Sequence, residues 1–117
     1  MIKSGTRREI VETETMPKGA PKNYRLTLAA KEDLINIARY GDANFGIEAS
    51  NRFRTKLEAR FQELAEHPMR YSEVNYIREG YRRSVFGVHS IYYVPDDDGV
   101  LIVRVLGRQD PKRALRS

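Results

Sequence analysis

Val100-Leu-Ile-Val-Arg-Val-Leu-Gly-Arg-Gln-Asp110 is an apolar, β-branched run interrupted by one arginine, Arg104, and closed by Gly107 and a polar tip ahead of Pro111. It falls well short of the ~18 residues that a membrane helix needs. It therefore reads as a strand buried over most of both faces. Such a strand needs cover on two sides, and the segments around it must supply it.

Immediately upstream, Pro95-Asp-Asp-Asp-Gly99 is a turn, with Asp98-Gly99 as its strongest signal. Two further strands are predicted over Tyr81–Phe86 and His89–Val94, joined by a tight turn at Gly87-Val88. Met69–Glu79 reads as a loop tethered to the core by Tyr71 and Tyr76.

Farther back, Ile47, Ser50, Phe53, Leu57, Phe61 and Leu64 recur three and four apart and predict a helix from Ile47 to Glu66. His67-Pro68 ends it, because the residue before proline disfavours helix. Ala30, Leu34, Ile37, Ala38 and Gly41 form a second stripe on a helix over 29–43, broken at Asn44-Phe-Gly46. Tyr24-Arg-Leu-Thr-Leu28 alternates and reads as a strand with Tyr24, Leu26 and Leu28 on one face.

The order is β-α-α-β-β-β, an α+β domain with a helical hairpin packed on one face of a small, twisted, mainly antiparallel sheet. The hairpin covers one side of the final strand. The pattern leaves open what covers the opposite side.

The chain's 117 residues suit one domain, and 40% hydrophobic with 32% charged residues is ordinary globular composition. Residues 1–22 are polar and charged, and are expected to stand outside a domain spanning 23–117. A short strand near Glu9–Glu12 and an alternative start at Met16 are expected there. No apolar segment resembles a signal peptide or a membrane span, so a cytoplasmic location is expected.

Cysteine is absent, which excludes disulfides and thiolate metal sites. The net charge is +5, concentrated at the end: Arg104, Arg108, Lys112, Arg113 and Arg116 face one anion, Asp110. A basic end of this kind suits an acidic partner, and equally serves solubility.

No metal or cofactor is expected. His67 and His89 lie in different elements without ligand spacing, and there is no Gly-rich phosphate loop or nucleophile elbow. One constellation carries possible chemistry. Arg82, Arg83 and Arg104 lie on neighbouring strands with His89, Tyr92, Tyr93 and Arg108 close in the pattern, as RNA cleavage through a 2′-hydroxyl would require. The pleat sends Arg82 and Arg83 to opposite faces, so only one can join Arg104. Phe53 and Phe61 belong to the helix stripe and read as core.

From Tyr24 to Leu115 these pieces together resemble the ParE toxins of bacterial toxin–antitoxin systems, within the RelE/ParE superfamily. The resemblance rests on Leu28-Ala-Ala-Lys-Glu-Asp-Leu-Ile-Asn-Ile-Ala-Arg-Tyr40, then Gly46 and Ala49, and Leu64, Ala65 and Pro68. Gly80-Tyr-Arg-Arg83, Gly87, Tyr93, Val103-Arg-Val-Leu106 and Asp110 complete it. Order and spacing carry it rather than any one motif. Met69-Arg70-Tyr71 stands where the family usually has a glycine, and Gly107-Arg108-Gln109 where many members carry a histidine.

The resemblance implies a non-enzymatic poison of DNA gyrase, neutralised by a ParD-like antitoxin in a tight heterotetramer or larger assembly, so that another chain is expected to cover the open side of the final strand. It implies no sequence-specific nucleic-acid binding by the toxin alone. The rival on the same fold is a RelE-type ribosome-dependent messenger-RNA endonuclease. The absence of tyrosine and histidine after Tyr93 weighs against that rival. An inert homologue kept as an interaction module is the third reading.

Under the leading reading, toxicity is expected at Arg83, Arg104, Arg108, Gln109 and Asp110. Alanine at Arg104 or Arg108 is then expected to lower toxicity with the fold intact. Antitoxin contact is expected at Leu34, Ile37, Tyr40, Phe45, Phe53 and Leu57.

Overall fold

A computed structural model describes residues 23–107 and 111–115, the side chains of residues 112 and 113 aside. In chain order the elements are β1 (Asn23–Leu26), α1 (Leu28–Phe45), α2 (Ile47–Glu66), β2 (Arg82–Phe86), β3 (His89–Asp96), β4 (Gly99–Leu106) and α3 (Pro111–Ala114). The strand expected near Glu9–Glu12 lies outside the described residues.

The sheet order is β1-β4-β3-β2. β2–β3 and β3–β4 are antiparallel hairpins, whereas β1 runs parallel to β4, from Asn23 beside Gly99 to Leu26 beside Ile102. Parallel neighbours need a long crossover, and everything from α1 to β3 supplies it here. The run Val100–Leu106 is therefore an inner strand, as its composition demands.

β1 stops at Leu26, two residues earlier than its alternation suggests. Thr27 takes an extended conformation, and its Oγ1 accepts the Ala30 N–H at 3.0 Å, capping α1. The same hydroxyl donates to the Val103 carbonyl at 2.8 Å, tying the cap to β4. Leu28 consequently opens the helix and is 73% exposed instead of sharing a face with Tyr24 and Leu26.

One residue, Gly46, links the helices at φ 90°, where a side chain would be strained. The hairpin closes tightly because Gly41 lies against Ser50: a β-carbon at Gly41 would sit 2.8 Å from Ser50 Oγ. Ile47, the first residue of the α2 stripe, lies at this turn and is exposed.

Two cores result. Beneath the helices, Ala30, Leu57, Phe61, Leu64 and Ala65 pack on Ile91, Tyr93, Val100, Ile102 and Val105. On the back of the sheet, Val74, Tyr92, Leu106 and Leu115 form a second cluster, joined by Ile77, Tyr81, Val103 and Ala114. The expectation that another chain covers this back face is corrected. The segment between α2 and β2 folds over it together with α3, held by Val74 N–H to the Tyr81 carbonyl at 2.7 Å and by Arg78 to the Leu115 carbonyl at 2.7 Å. The loop's few apolar residues are spread too thinly to show periodicity, so this cover is invisible in sequence.

At the outer edge, Arg60 of α2 donates to the Val85 carbonyl at 2.9 Å and to Ser84 Oγ at 2.8 Å, with its guanidinium over the Phe86 ring. A charged side chain laid on an edge strand discourages pairing with foreign strands.

Candidate functional site

Arg104 owes its position to a bulge. Tyr92 of β3 is opposite Arg104 and Tyr93 is opposite Ile102, so β4 carries an extra residue there. Past Ile102, β4 has no β1 neighbour, and α1 runs alongside it. Asp33, 8% exposed, fills the place of a strand by accepting the Val105 N–H at 2.9 Å. Its two oxygens also take Arg104 Nε at 2.8 Å and Nη2 at 2.9 Å, while Nη1 donates to the Ala114 carbonyl at 3.1 Å.

The guanidinium pKa is raised, first by this hydrogen-bonded carboxylate. Arg104 thus joins α1, β4 and α3. Removing Arg104 would strand a buried carboxylate, so Arg104→Ala is expected to cost stability as well as any contact Arg104 makes.

Register also decides between the neighbouring arginines. Arg83 is opposite Tyr92, which is opposite Arg104, so these three form one row across the sheet. Arg82 lies elsewhere, donating to the Tyr71 carbonyl at 2.6 Å and pairing with Glu73 at 3.4 Å.

Arg83 lines a shallow cleft at the back edge with Arg70, Tyr76 and Glu73. Hydrogen bonding to the Tyr92 phenol, with Tyr76 contributing, raises its pKa. Arg70 is engaged by Glu63 at 2.7 Å, a contact that lowers the Glu63 pKa. Of the five residues expected to carry toxicity, Arg83 and Arg104 share a row; Arg108, Gln109 and Asp110 lie outside the described residues.

The six residues expected to meet an antitoxin divide by depth. Leu34, Ile37 and Phe53 are half-buried along a narrow groove between α1 and α2, and Leu57, 2% exposed, forms its floor. Leu57 is therefore core rather than surface. Tyr40 and Phe45 stand out at the hairpin end, 64% and 68% exposed, with ring centroids 6.0 Å apart.

His89 belongs with the front packing. Its ring lies 5.6 Å from Phe53, its buried Nδ1 has no hydrogen-bond partner among the described residues, and burial lowers its pKa. Tyr92 and Tyr93 are 2% and 0% exposed, and burial pushes the Tyr93 phenol up to about 12. Among the described residues, no group of three or more acidic or histidine side chains is placed to hold a metal ion, and no helix is long and apolar enough to cross a membrane.

Asp33 is the residue that site reasoning missed. It sits one position from Leu34 and three from Ala30, on the buried stripe itself. A carboxylate there needs a cationic partner, and the lone arginine in an apolar strand is the matching signal.

Comparison with known proteins agrees with this architecture. The family model for the ParE toxin of the type II toxin–antitoxin system parDE matches residues 24–111. Toxin ParE1 of Caulobacter vibrioides is 36% identical over 72 residues, 62% of this chain and 75% of that protein.

A solved structure of a chromosomal ParDE toxin–antitoxin system from P. aeruginosa superposes with a TM-score of 0.57 at 18% identity, covering 76% of this chain and 98% of that one. The RelBE2 toxin–antitoxin complex of Mycobacterium tuberculosis gives 0.50 at 26% identity, covering 80% and 98%. Both branches share the fold, so the family match discriminates where the fold does not. This chain belongs to the ParE toxin family of type II toxin–antitoxin systems.

Proposed function

We propose that this toxin acts by binding DNA gyrase and trapping its cleaved-DNA state, without catalysis of its own. The observation that carries this reading is the condition of His89, Tyr92 and Tyr93, the acid–base groups of the strand constellation. A base for the 2′-hydroxyl has to reach the substrate with a pKa near the working pH. His89 is packed against Phe53, Tyr92 and Tyr93 are buried, and no tyrosine or histidine follows Tyr93. What remains accessible is a binding surface around Arg83 and Tyr76.

A ParD-like antitoxin neutralises the toxin by laying an amphipathic segment along the α1–α2 groove. Leu34, Ile37 and Phe53 take its apolar side chains, and Tyr40 and Phe45 hold its end, in the helix-in-groove manner. An acidic antitoxin segment suits the toxin's +5 charge. The assembly is a heterotetramer or larger, and the domain proper begins near residue 23.

The test pairs two assays on purified toxin: gyrase-dependent DNA cleavage, and transcript integrity on translating ribosomes. Accumulated gyrase–DNA breaks with intact transcripts support the reading. Codon-phased transcript cleavage with normal supercoiling overturns it in favour of the RelE-type nuclease. Gel filtration with the co-encoded antitoxin should give one stable complex.

A further inference from the structure

We propose that the back-edge cleft beside β2 is a binding site for the phosphate backbone of a single-stranded nucleic acid, with Arg83 holding a phosphodiester and Tyr76 stacking on the adjoining base. This goes beyond gyrase binding and does not depend on it.

The charge pattern around the cleft singles out Arg83. Arg60 and Arg70 both meet Glu63, Arg82 meets Glu73, and Arg104 meets Asp33. Arg83 is partly buried, as Arg60, Arg82 and Arg104 are, yet its neighbours are the phenols of Tyr92 and Tyr76, and no carboxylate among the described residues forms an ion pair with it. A guanidinium carries five donors, more than two phenol oxygens satisfy, and its planar fork matches two oxygens of a phosphate. Partial burial strengthens that attraction relative to a freely solvated side chain.

The neighbours fit the same ligand. Tyr76 lines the cleft and is 66% exposed, leaving an aromatic face open beside the cation. Stacking on an exposed ring next to a backbone cation is how single strands are held without regard to sequence. Glu73, the acid in the cleft, is occupied by Arg82 and by Asn75 at 3.1 Å, which limits its repulsion of an anion. An acidic peptide would use Arg83 and leave Tyr76 idle, so the pairing of cation and open ring favours a nucleotide. A grip on phosphate reads no bases, so binding without sequence preference is expected.

The experiment titrates full-length toxin into end-labelled twelve-nucleotide oligothymidylate and oligouridylate, followed by fluorescence anisotropy at low salt. Saturable binding is expected, weakened about tenfold or more by Arg83→Ala and by Tyr76→Ala, as loss of one stacked base predicts. Tyr76→Phe should stay within about twofold of wild type, because the ring is kept. The dependence of log K on log salt should flatten by about 0.7 in Arg83→Ala.

Tyr76 is exposed, so Tyr76→Ala keeps the test valid even if Arg83→Ala unfolds. Binding of either strand that meets these criteria supports the site, and the stronger strand names its natural form. Three results would overturn it: no saturable binding, affinity unchanged in Tyr76→Ala, or displacement by oligoglutamate from a site indifferent to Tyr76.

Discussion

Asp33 and Arg104, 71 residues apart, meet through two hydrogen bonds of 2.8 and 2.9 Å, and the same carboxylate caps the Val105 N–H. A helix side chain thereby completes the edge of a strand. Arg104→Ala should cost about 3 kcal/mol, the low end for breaking a buried pair because Arg104 keeps some exposure. Arg104→Lys should recover only part, having no fork. Urea unfolding measures both. Toxicity of Arg104→Ala is then compared with its measured stability, which separates a lost contact from a weakened fold.

Gly99 begins β4 at φ 133°, and a β-carbon there would lie 1.8 Å from the Asn23 carbonyl oxygen. The parallel β1–β4 pairing depends on that close approach. Gly99→Ala should destabilise by about 3 kcal/mol or more, combining backbone strain with a steric clash. Hydrogen exchange should show β1 amides losing protection first.

His89 sets a pH dependence. Burial lowers its pKa from the ordinary 6.5. Below pH 6.5 the unfolded chain takes up a proton that the folded protein refuses. Stability should therefore fall as pH drops from 6.5 to the lower folded pKa, and level off beneath it. His89→Phe suits the contacts with Phe53 and removes an unpartnered buried nitrogen. It should abolish this part of the slope in thermal melts, with stability at pH 7 unchanged or higher.

Depth separates two kinds of groove residue. Phe45→Ala, at a 68% exposed position, should leave stability within about 0.5 kcal/mol of wild type. It should weaken antitoxin binding about tenfold or more, as truncation of an aromatic anchor does. Leu57→Ala should instead cost about 3 kcal/mol of folding stability. Calorimetric titration beside thermal melts distinguishes them.

Much of this architecture is legible in the sequence, because helix stripes and a strand buried on both faces leave strong periodic signals. Three features are not, each for a physical reason. Thr27 ends β1 through a cap whose partner, Val103, is 76 residues away. The back-face cover uses Val74, Ile77 and Leu115, which are too scattered to form a period. The bulge opposite Tyr92 decides which arginine stands beside Arg104, and register of that kind is fixed by packing. Of the candidate site, the helix groove follows from the stripes. The cleft around Arg83 and Tyr76 depends on where the α2–β2 loop comes to rest, which no local pattern encodes.

Gyrase poisoning is tested most directly by incubating purified toxin with gyrase, supercoiled plasmid and ATP, then denaturing and quantifying linear DNA. The result expected is linear, protein-linked DNA that rises with toxin, disappears when antitoxin is added first, and requires gyrase. Unchanged supercoiling with no linear product, alongside cleavage of ribosome-bound messenger RNA by the same preparation, would contradict it.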